Sequence, residues 1–218
     1  MNSIQIEKVV EEYIEDKWKT EEKTHDISHI RRVIKMAMKI NETEKGNPFI
    51  IKMIAYLHDV FDHKFYQGED EEQKLEDLLK ELKVYEQIGE KDRSNIIHSA
   101  CNLGFASNYK ENQVLSKEGK IVQDADRLDG IGAIGIARCF MYMGNRAKPL
   151  YEEGKTEIVS EEEYKRRGSR TAIGHFYDKL LKVKERLNTV AAKQLAEQRH
   201  QFMLNYLEEF YSEWNGLK

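Results

Sequence analysis

The sequence predicts an all-α protein that forms a single helical domain over residues 1–218. Apolar residues recur at the i, i+3, i+4, i+7 spacing of amphipathic helices in several long stretches. No stretch shows sustained alternation with a period of two, and no Asn-Gly or Asp-Gly turn separates alternating runs. Only two prolines occur, Pro48 and Pro149, so little interrupts the helical pattern.

The individual helices follow from the apolar stripes and from two segments without a polar face. The four stripes cover residues 6–18, 30–38, 75–82 and 195–214. Residues 49–61 and 131–143 are apolar nearly all round, which is typical of a buried helix. Residues 102–111 and 144–170 contain Gly, Asn and charged residues without clear periodicity, and we expect loops near the core with short helical turns there.

Composition excludes several classes of protein. The formal net charge is −4 and no strongly basic tract occurs, so we expect no nucleic-acid partner. Cys101 and Cys139 are too few for a disulfide scaffold or a four-thiolate zinc site, and they suggest a reducing compartment. No signal-peptide pattern and no apolar run of roughly 20 residues is present. We therefore expect a cytoplasmic protein that does not enter a membrane.

The pair His58-Asp59 lies near the end of the most apolar predicted helix. Burying a charged carboxylate there costs several kcal/mol, about the amount that a compensating partner must supply. A metal ion is one such partner. A His–Asp hydrogen bond or a helix C-cap is the structural alternative, and this segment alone does not decide between them.

A cluster of acids precedes the second apolar segment. Asp124, Asp126 and Asp129 stand close together, and the last two share a helix face because they are three residues apart. One acid at a helix N-terminus is explained by capping and by the helix dipole. Three acids exceed what capping requires and favour a functional site.

His29 is the third element. It stands four residues before Val33, so it faces the core side of its predicted helix. Alone, a histidine in such a place is most often a packed or hydrogen-bonded one. Together, three segments supply two imidazoles and two carboxylates, a donor set suited to Mn²⁺, Fe²⁺, Zn²⁺, Ni²⁺ or Mg²⁺ rather than to a thiolate site. We take Mn²⁺ as the first choice for the divalent metal.

The order of these elements resembles the HD-domain superfamily of metal-dependent phosphohydrolases. The matching stretches are His25-Asp-Ile-Ser-His29-Ile-Arg-Arg-Val, Leu57-His58-Asp59-Val and Asp124-Ala-Asp126-Arg127-Leu128-Asp129. The third stretch is similar to an Asp-x-Asp-[Lys/Arg]-x-Asp element whose second Asp is the ligand. The resemblance therefore implies that His29, His58, Asp59 and Asp126 hold the metal, within a core of residues 25–130.

The similarity continues toward the C-terminus. Thr171-Ala-Ile-Gly-His175-Phe-Tyr-Asp-Lys179-Leu-Leu, Leu187-Asn-Thr and Arg199-His-Gln-Phe-Met look like the tail of small stand-alone bacterial HD hydrolases of the YpgQ type. The resemblance implies an all-α bundle in which C-terminal helices over residues 171–214 pack on the metal-site core. It also implies nucleotides as frequent substrates.

Supporting residues follow from position and charge. Asp62 and His63 share a helical face with the ligand pair and are candidates for proton transfer or for holding a water. His98 is a candidate proton donor to the leaving group, and Arg127 directly follows the proposed ligand and is placed to neutralise phosphate charge. Candidates for the far end of a polyphosphate are Lys179, Lys182, Arg186 and Arg199.

One motif is a decoy. Gly130-Ile-Gly132-Ala-Ile-Gly135 matches the dinucleotide-binding Gly-x-Gly-x-x-Gly pattern. That pattern needs a preceding strand and a later acid. Here the glycines follow the acid cluster and open a predicted helix, so we interpret them as small residues that permit close helix packing.

The resulting hypothesis is a phosphohydrolase that cleaves a phosphoester or phosphoanhydride of a nucleotide, with pyrophosphohydrolysis of a nucleoside triphosphate among the options. Three alternatives stay open: a di-iron oxygenase of the HD type using His63 or His98 for a second metal, a non-catalytic nucleotide sensor, and a structural scaffold. The sequence does not decide the oligomeric state. The aromatic residues near the C-terminus fit either a homodimer face or the core.

Overall fold

The computed structural model describes residues 1–20, 27–61, 70–104, 114–154 and 159–218. Ten α-helices and no β-strand occur within these ranges, so the all-α prediction is confirmed. The chain forms two compact units, residues 1–125 and residues 126–218, whose boundary falls inside one continuous helix. The expectation of a single domain stays a prediction, and the two units are described in turn.

The first unit is built around a buried helix. It contains α1 (Ser3–Thr20), α2 (Ile27–Glu44), α3 (Pro48–Leu57), α4 (Glu71–Glu81), α5 (Glu90–Cys101) and the first nine residues of α6 (Lys117–Asp129). α3 contacts α1, α2 and α5, and its residues from Met53 to Leu57 are all buried. The predicted burial of this apolar segment is therefore confirmed for the helix itself.

The start of α3 has a local cause in the sequence. The side chain of Asn47 accepts a hydrogen bond from the Phe49 amide, and Pro48 occupies the first turn, where its missing N–H costs nothing. The backbone amide of Asn47 also donates to Glu118 Oε1 on α6 at 3.0 Å. A hydrogen bond thus joins the N-terminal end of α3 to the N-terminal end of α6.

A glycine permits α6 to lie close to α5. A Cβ atom at Gly119 would stand 2.7 Å from Ser99 Oγ, closer than real Cβ contacts allow. Beyond this contact, Ile121, Val122 and Ala125 are buried. The packing of its first half therefore fixes α6 within the first unit.

The second unit is the end of α6 together with α7 (Gly132–Asn145), α8 (Glu161–Arg167), α9 (Ala172–Asp178) and α10 (Val190–Trp214). Two 3₁₀ turns, Leu180–Lys182 and Lys184–Arg186, connect α9 to α10. α7 contacts both α9 and α10, and the ring of Phe176 lies 6.1 Å from Phe140 and 5.8 Å from Tyr206. The fully buried Phe176 thus contacts two partly exposed aromatic rings, while the other buried hydrophobic residues described in this unit are not aromatic.

One expectation about this part of the chain needs correction. The apolar segment 131–143 is buried on one side only, since Ile134, Met141 and Tyr142 on α7 are exposed. Packing by α9 and α10 covers its inner side, whereas these outer side chains stay accessible. The segment 144–170, expected to form loops with short helical turns, contains the short helix α8, which Ser160 begins by accepting a hydrogen bond from the Glu163 amide.

None of the described helices combines the length and the apolar character needed to cross a bilayer.

Candidate metal centre

His58 and Asp59 lie where α3 ends. His58 is the C-cap residue and its backbone amide donates to the Ile54 carbonyl, so the helix places it directly. Its Nδ1 lies 2.8 Å from the Ala55 carbonyl oxygen. A carbonyl only accepts, so Nδ1 carries the proton and Nε2 is the ring nitrogen that can offer a lone pair to a metal. A backbone contact of this kind is how proteins orient histidine ligands of metals.

His29 faces the same point from α2. It is buried beside Ile30 and Val33 on the core side of that helix. The Nε2 atoms of His29 and His58 each lie 3.5 Å from Asp59 Oδ2, and the two ring centroids are 5.6 Å apart. Two imidazole nitrogens therefore converge on one carboxylate oxygen, and both rings are nearly inaccessible to water, with side-chain exposures of 7% and 4%.

Asp126 joins this group from α6. Each of His29, His58 and Asp126 offers one ligand atom, and these atoms all lie within 4.8 Å of one another. Asp126 stands next to Ala125 on the continuous helix α6, and the packing of that helix places its carboxylate. Among the described residues, no other group of at least three His, Cys, Asp or Glu side chains meets this criterion.

The donor set fits a divalent ion. Metal–nitrogen and metal–oxygen bonds of about 2.1 Å place two ligand atoms of one ion at most about 4.2 Å apart. The 3.5 Å separations to Asp59 lie within that limit, and the 4.8 Å bound for the three-residue group exceeds it by less than 1 Å. Nitrogen and oxygen donors suit the divalent first-row metals and Mg²⁺. His29, His58 and Asp126 form a possible metal site whose metal is not identified.

The neighbouring acids have other surroundings. Asp124 is fully buried, and Asp129 is buried while its Oδ2 accepts a hydrogen bond from Arg138 Nη1 on α7. The three acids of this cluster therefore have at least two different roles. Asp126 approaches the histidines, and Asp129 forms an ion pair with Arg138 beyond the end of α6.

Two further arginines hold the last turn of α6. Arg127, which is buried, donates from Nη1 to the Arg186 carbonyl, and Arg199 on α10 donates from Nη1 to the Leu128 carbonyl. The last carbonyls of a helix lack partners within the helix, so the Arg199 donor at Leu128 is stabilising, whereas the Arg127 bond joins this turn to the 3₁₀ turn Lys184–Arg186. The predicted contacts of Arg127, Arg186 and Arg199 with phosphate stay predictions beside these observed bonds.

The other predicted residues lie as follows. His98, on α5, has its Nδ1 3.1 Å from Glu72 Oε1 on α4, and it is partly exposed. Lys179 follows α9, and Lys182 closes the first 3₁₀ turn. Asp62 and His63 lie outside the described residues. The catalytic and substrate roles of all these residues remain predictions.

The sequence interpretation missed two features near the centre. The Ala55 carbonyl that orients His58 is a backbone group and leaves no sequence signal. Arg138 left a signal that could have been used, since it is a lone arginine in the middle of a predominantly apolar helix. Its side chain is 43% exposed, and its partner is the buried Asp129.

Comparison with known proteins agrees with this fold. The HD domain family model matches residues 26–131, a range that contains His29, His58, Asp59 and Asp126. Protein YpgQ of Bacillus subtilis is 36% identical over 201 residues, which cover 88% of this chain and 86% of YpgQ. The chain therefore belongs to the HD-domain family, and the predicted resemblance is confirmed.

Solved structures extend the similarity over nearly the whole chain. An HD-superfamily hydrolase from Bacillus thuringiensis is 39% identical, with 97% of each chain covered and a TM-score of 0.72. The crystal structure of Bacillus subtilis YpgQ in complex with ADP aligns at 31% identity and a TM-score of 0.75, covering 98% of this chain and 97% of that one. At the level of the family, the similarity is to hydrolases.

Proposed function

We propose that this protein is a divalent-metal-dependent phosphohydrolase that acts on nucleotides, with Mn²⁺ as the preferred ion and a nucleoside triphosphate as the preferred substrate. The observation that supports it most directly is the convergence of the His29 and His58 Nε2 atoms on Asp59, together with the carboxylate of Asp126. The ADP complex of Bacillus subtilis YpgQ supports a nucleotide as the ligand class.

The protein's own residues have separate tasks in this reaction. His29, His58, Asp59 and Asp126 hold the ion, which when bound polarises water and draws negative charge from a phosphoryl oxygen. The Ala55 carbonyl keeps the His58 ring in the tautomer that presents Nε2. The positive side chains proposed for the polyphosphate are Lys179, Lys182 and Arg186.

Chemically, the reaction transfers a phosphoryl or a nucleotidyl group to water. A water oxygen forms a bond to phosphorus, the bridging P–O bond breaks, and one proton leaves the attacking water. The departing oxygen takes a proton when the leaving group is an alkoxide. Asp62, His63 and His98 are the candidates for carrying these protons. Attack at the α-phosphorus of a triphosphate releases pyrophosphate, and attack at the γ-phosphorus releases phosphate.

The test is release of phosphate and pyrophosphate from a panel of nucleoside triphosphates and diphosphates, with Mn²⁺ and with a chelator. We expect metal-dependent release by the wild type. Asp126→Ala should lower it by roughly 1000-fold, because a lost ligand should cost more than the 10–100-fold typical of residues behind the ligands. Helix content by circular dichroism should not change.

Asp77→Ala is the matched control, since it removes an exposed acid on α4 and should leave release unchanged. Full activity of Asp126→Ala would contradict the ligand assignment. Two bound irons with no release from any nucleotide would favour the oxygenase alternative. Tight nucleotide binding without turnover would favour a sensor, and absence of bound metal would favour a scaffold.

A further inference from the structure

The last turn of α6 is the structural support of Asp126, and it is held from outside the helix. Asp126 stands three residues before the end of α6 at Asp129. The helix tightens there, since the Gly130 amide donates to the Arg127 carbonyl and the Ile131 amide donates to the Leu128 carbonyl. These are weak i to i+3 contacts of 3.2 and 3.3 Å. A helix end of this kind frays unless other groups satisfy its carbonyls.

Arg199 supplies such a group. Its Nη1 donates to the Leu128 carbonyl, two residues beyond Asp126. Burial lowers the pKa of the Arg199 guanidinium, and the nearby Asp129 carboxylate opposes that shift. A cation at a helix C-terminus also interacts favourably with the helix dipole. The bond from Arg199 therefore adds a charged donor to a helix-end carbonyl whose other hydrogen bond, from the Ile131 amide, is 3.3 Å long.

The aliphatic part of the Arg199 side chain packs against Gly132. Gly132 at the start of α7 has a φ of +74°, and a Cβ atom there would lie 3.0 Å from Arg199 Cγ. The methylene groups of Arg199 thus pass directly over the turn that joins α6 to α7. A side chain at position 132 would push the stem away, so the path of Arg199 depends on this glycine.

We infer that Arg199 is a positioning residue for the metal site, which holds the last turn of α6 so that Asp126 keeps its carboxylate in place for the ion. The inference rests on the metal site of the proposed function, and it assigns Arg199 a role through Asp126 rather than through contact with the substrate. The sequence interpretation, in contrast, placed Arg199 at the far end of a polyphosphate.

The test is a direct Mn²⁺ titration of the purified protein by calorimetry, with wild type, Arg199→Met, Arg199→Lys and the control Lys193→Met. Arg199→Met keeps most of the stem and removes the donors. We expect its Mn²⁺ dissociation constant to rise roughly 10-fold, the low end of the range for residues that orient metal ligands. Arg199→Lys should recover part of the loss, because its ammonium group can still donate. Lys193→Met removes an exposed cation from the same helix and should bind as the wild type does.

Steady-state kinetics separates the two roles of Arg199. Positioning predicts a lower kcat at subsaturating Mn²⁺ with an unchanged KM for the nucleotide. An unchanged Mn²⁺ affinity in Arg199→Met would overturn the inference, and a raised nucleotide KM beside it would assign Arg199 to the substrate. If Arg199→Met does not fold, Arg199→Leu, which also lacks the donors, decides in the same way.

The titration does not depend on turnover, so the two proposals fail separately. A wild type that binds Mn²⁺ but releases no product contradicts the proposed function and leaves the role of Arg199 testable. A working enzyme whose Arg199 variants bind Mn²⁺ normally contradicts only the role of Arg199.

Discussion

The helices α3 and α7 look alike in sequence and differ in the structure. Both are apolar nearly all round, and each adjoins one of the two acidic elements of the candidate site. α3 is enclosed by α1, α2 and α5, whereas α7 packs on α9 and α10 with one side exposed. The comparison teaches that an apolar helix has the composition needed for burial, while the number of neighbouring elements decides how much of it is buried.

The difference also concerns how the site residues are held. α3 ends in His58 and Asp59, and the buried helix itself orients them. α7 follows Asp129 and contributes Arg138 to an ion pair. The position of His58 and Asp59 therefore depends on the hydrophobic packing of α3. The end of α6, in contrast, is held by polar contacts such as the ion pair of Asp129 with Arg138.

The largest expected difference is between matched truncations on the two helices. Ile54 on α3 is fully buried, so Ile54→Ala should lower the free energy of unfolding by about 2–5 kcal/mol. Ile134 on α7 is 46% exposed, and Ile134→Ala should change it by about 0.5 kcal/mol or less. Urea unfolding of both variants measures this difference. Equal losses would mean that the outer side of α7 is covered in solution.

A smaller effect is expected from glycine substitutions within α7. A Cβ atom at Gly135 would lie 2.3 Å from the Gly130 carbonyl, so Gly135→Ala forces backbone to move and should cost about 1–3 kcal/mol. Gly144 has no atom within 4 Å of its would-be Cβ, and Gly144→Ala should stabilise the protein by about 0.5–1 kcal/mol. Thermal melting of the pair is the measurement, and a stabilising Gly135→Ala would refute the close approach at the start of α7.

The smallest expected effect tests whether water reaches the His175 ring in the folded protein. His175 on α9 has its Nδ1 3.1 Å from Ser169 Oγ, and burial, with Lys179 nearby, lowers its pKa from 6.5 to about 3. Between these two values the unfolded chain binds more protons, so stability falls as the pH decreases. From pH 7 to pH 5.5 the loss assigned to His175 is about 1 kcal/mol.

His175→Gln cannot titrate and serves as the comparison for that measurement. Urea unfolding at both pH values should show a smaller decrease for His175→Gln than for the wild type. The same decrease in both proteins would show that the His175 ring reaches water in the folded state.

The sequence was most informative where a single periodicity or motif was enough to predict a helix or the family. The helical stripes predicted α1, α2, α4 and α10 because amphipathic spacing reflects a local rule of helix geometry. The order of His29, His58-Asp59 and Asp126 predicted the family, which the comparisons confirm. These features depend on residue identity and spacing, and both are fully contained in the chain.

The sequence was less informative where burial and hydrogen-bond partners depend on segments that are distant along the chain. It predicted full burial of α7, and it gave no indication that Arg199 would reach the Leu128 carbonyl, 71 residues away. It also did not predict the different surroundings of Asp126 and Asp129, of which only Asp129 is buried and paired with Arg138.

The sequence by itself thus determined the helical class, the donor types and their order along the chain. The tertiary structure alone decided that the Nε2 atoms of His29 and His58 meet at one oxygen of Asp59, and that α7 keeps an exposed side. The physical reason is that periodicity and capping act within a few residues, whereas burial and the partner of each polar side chain depend on which helices pack together.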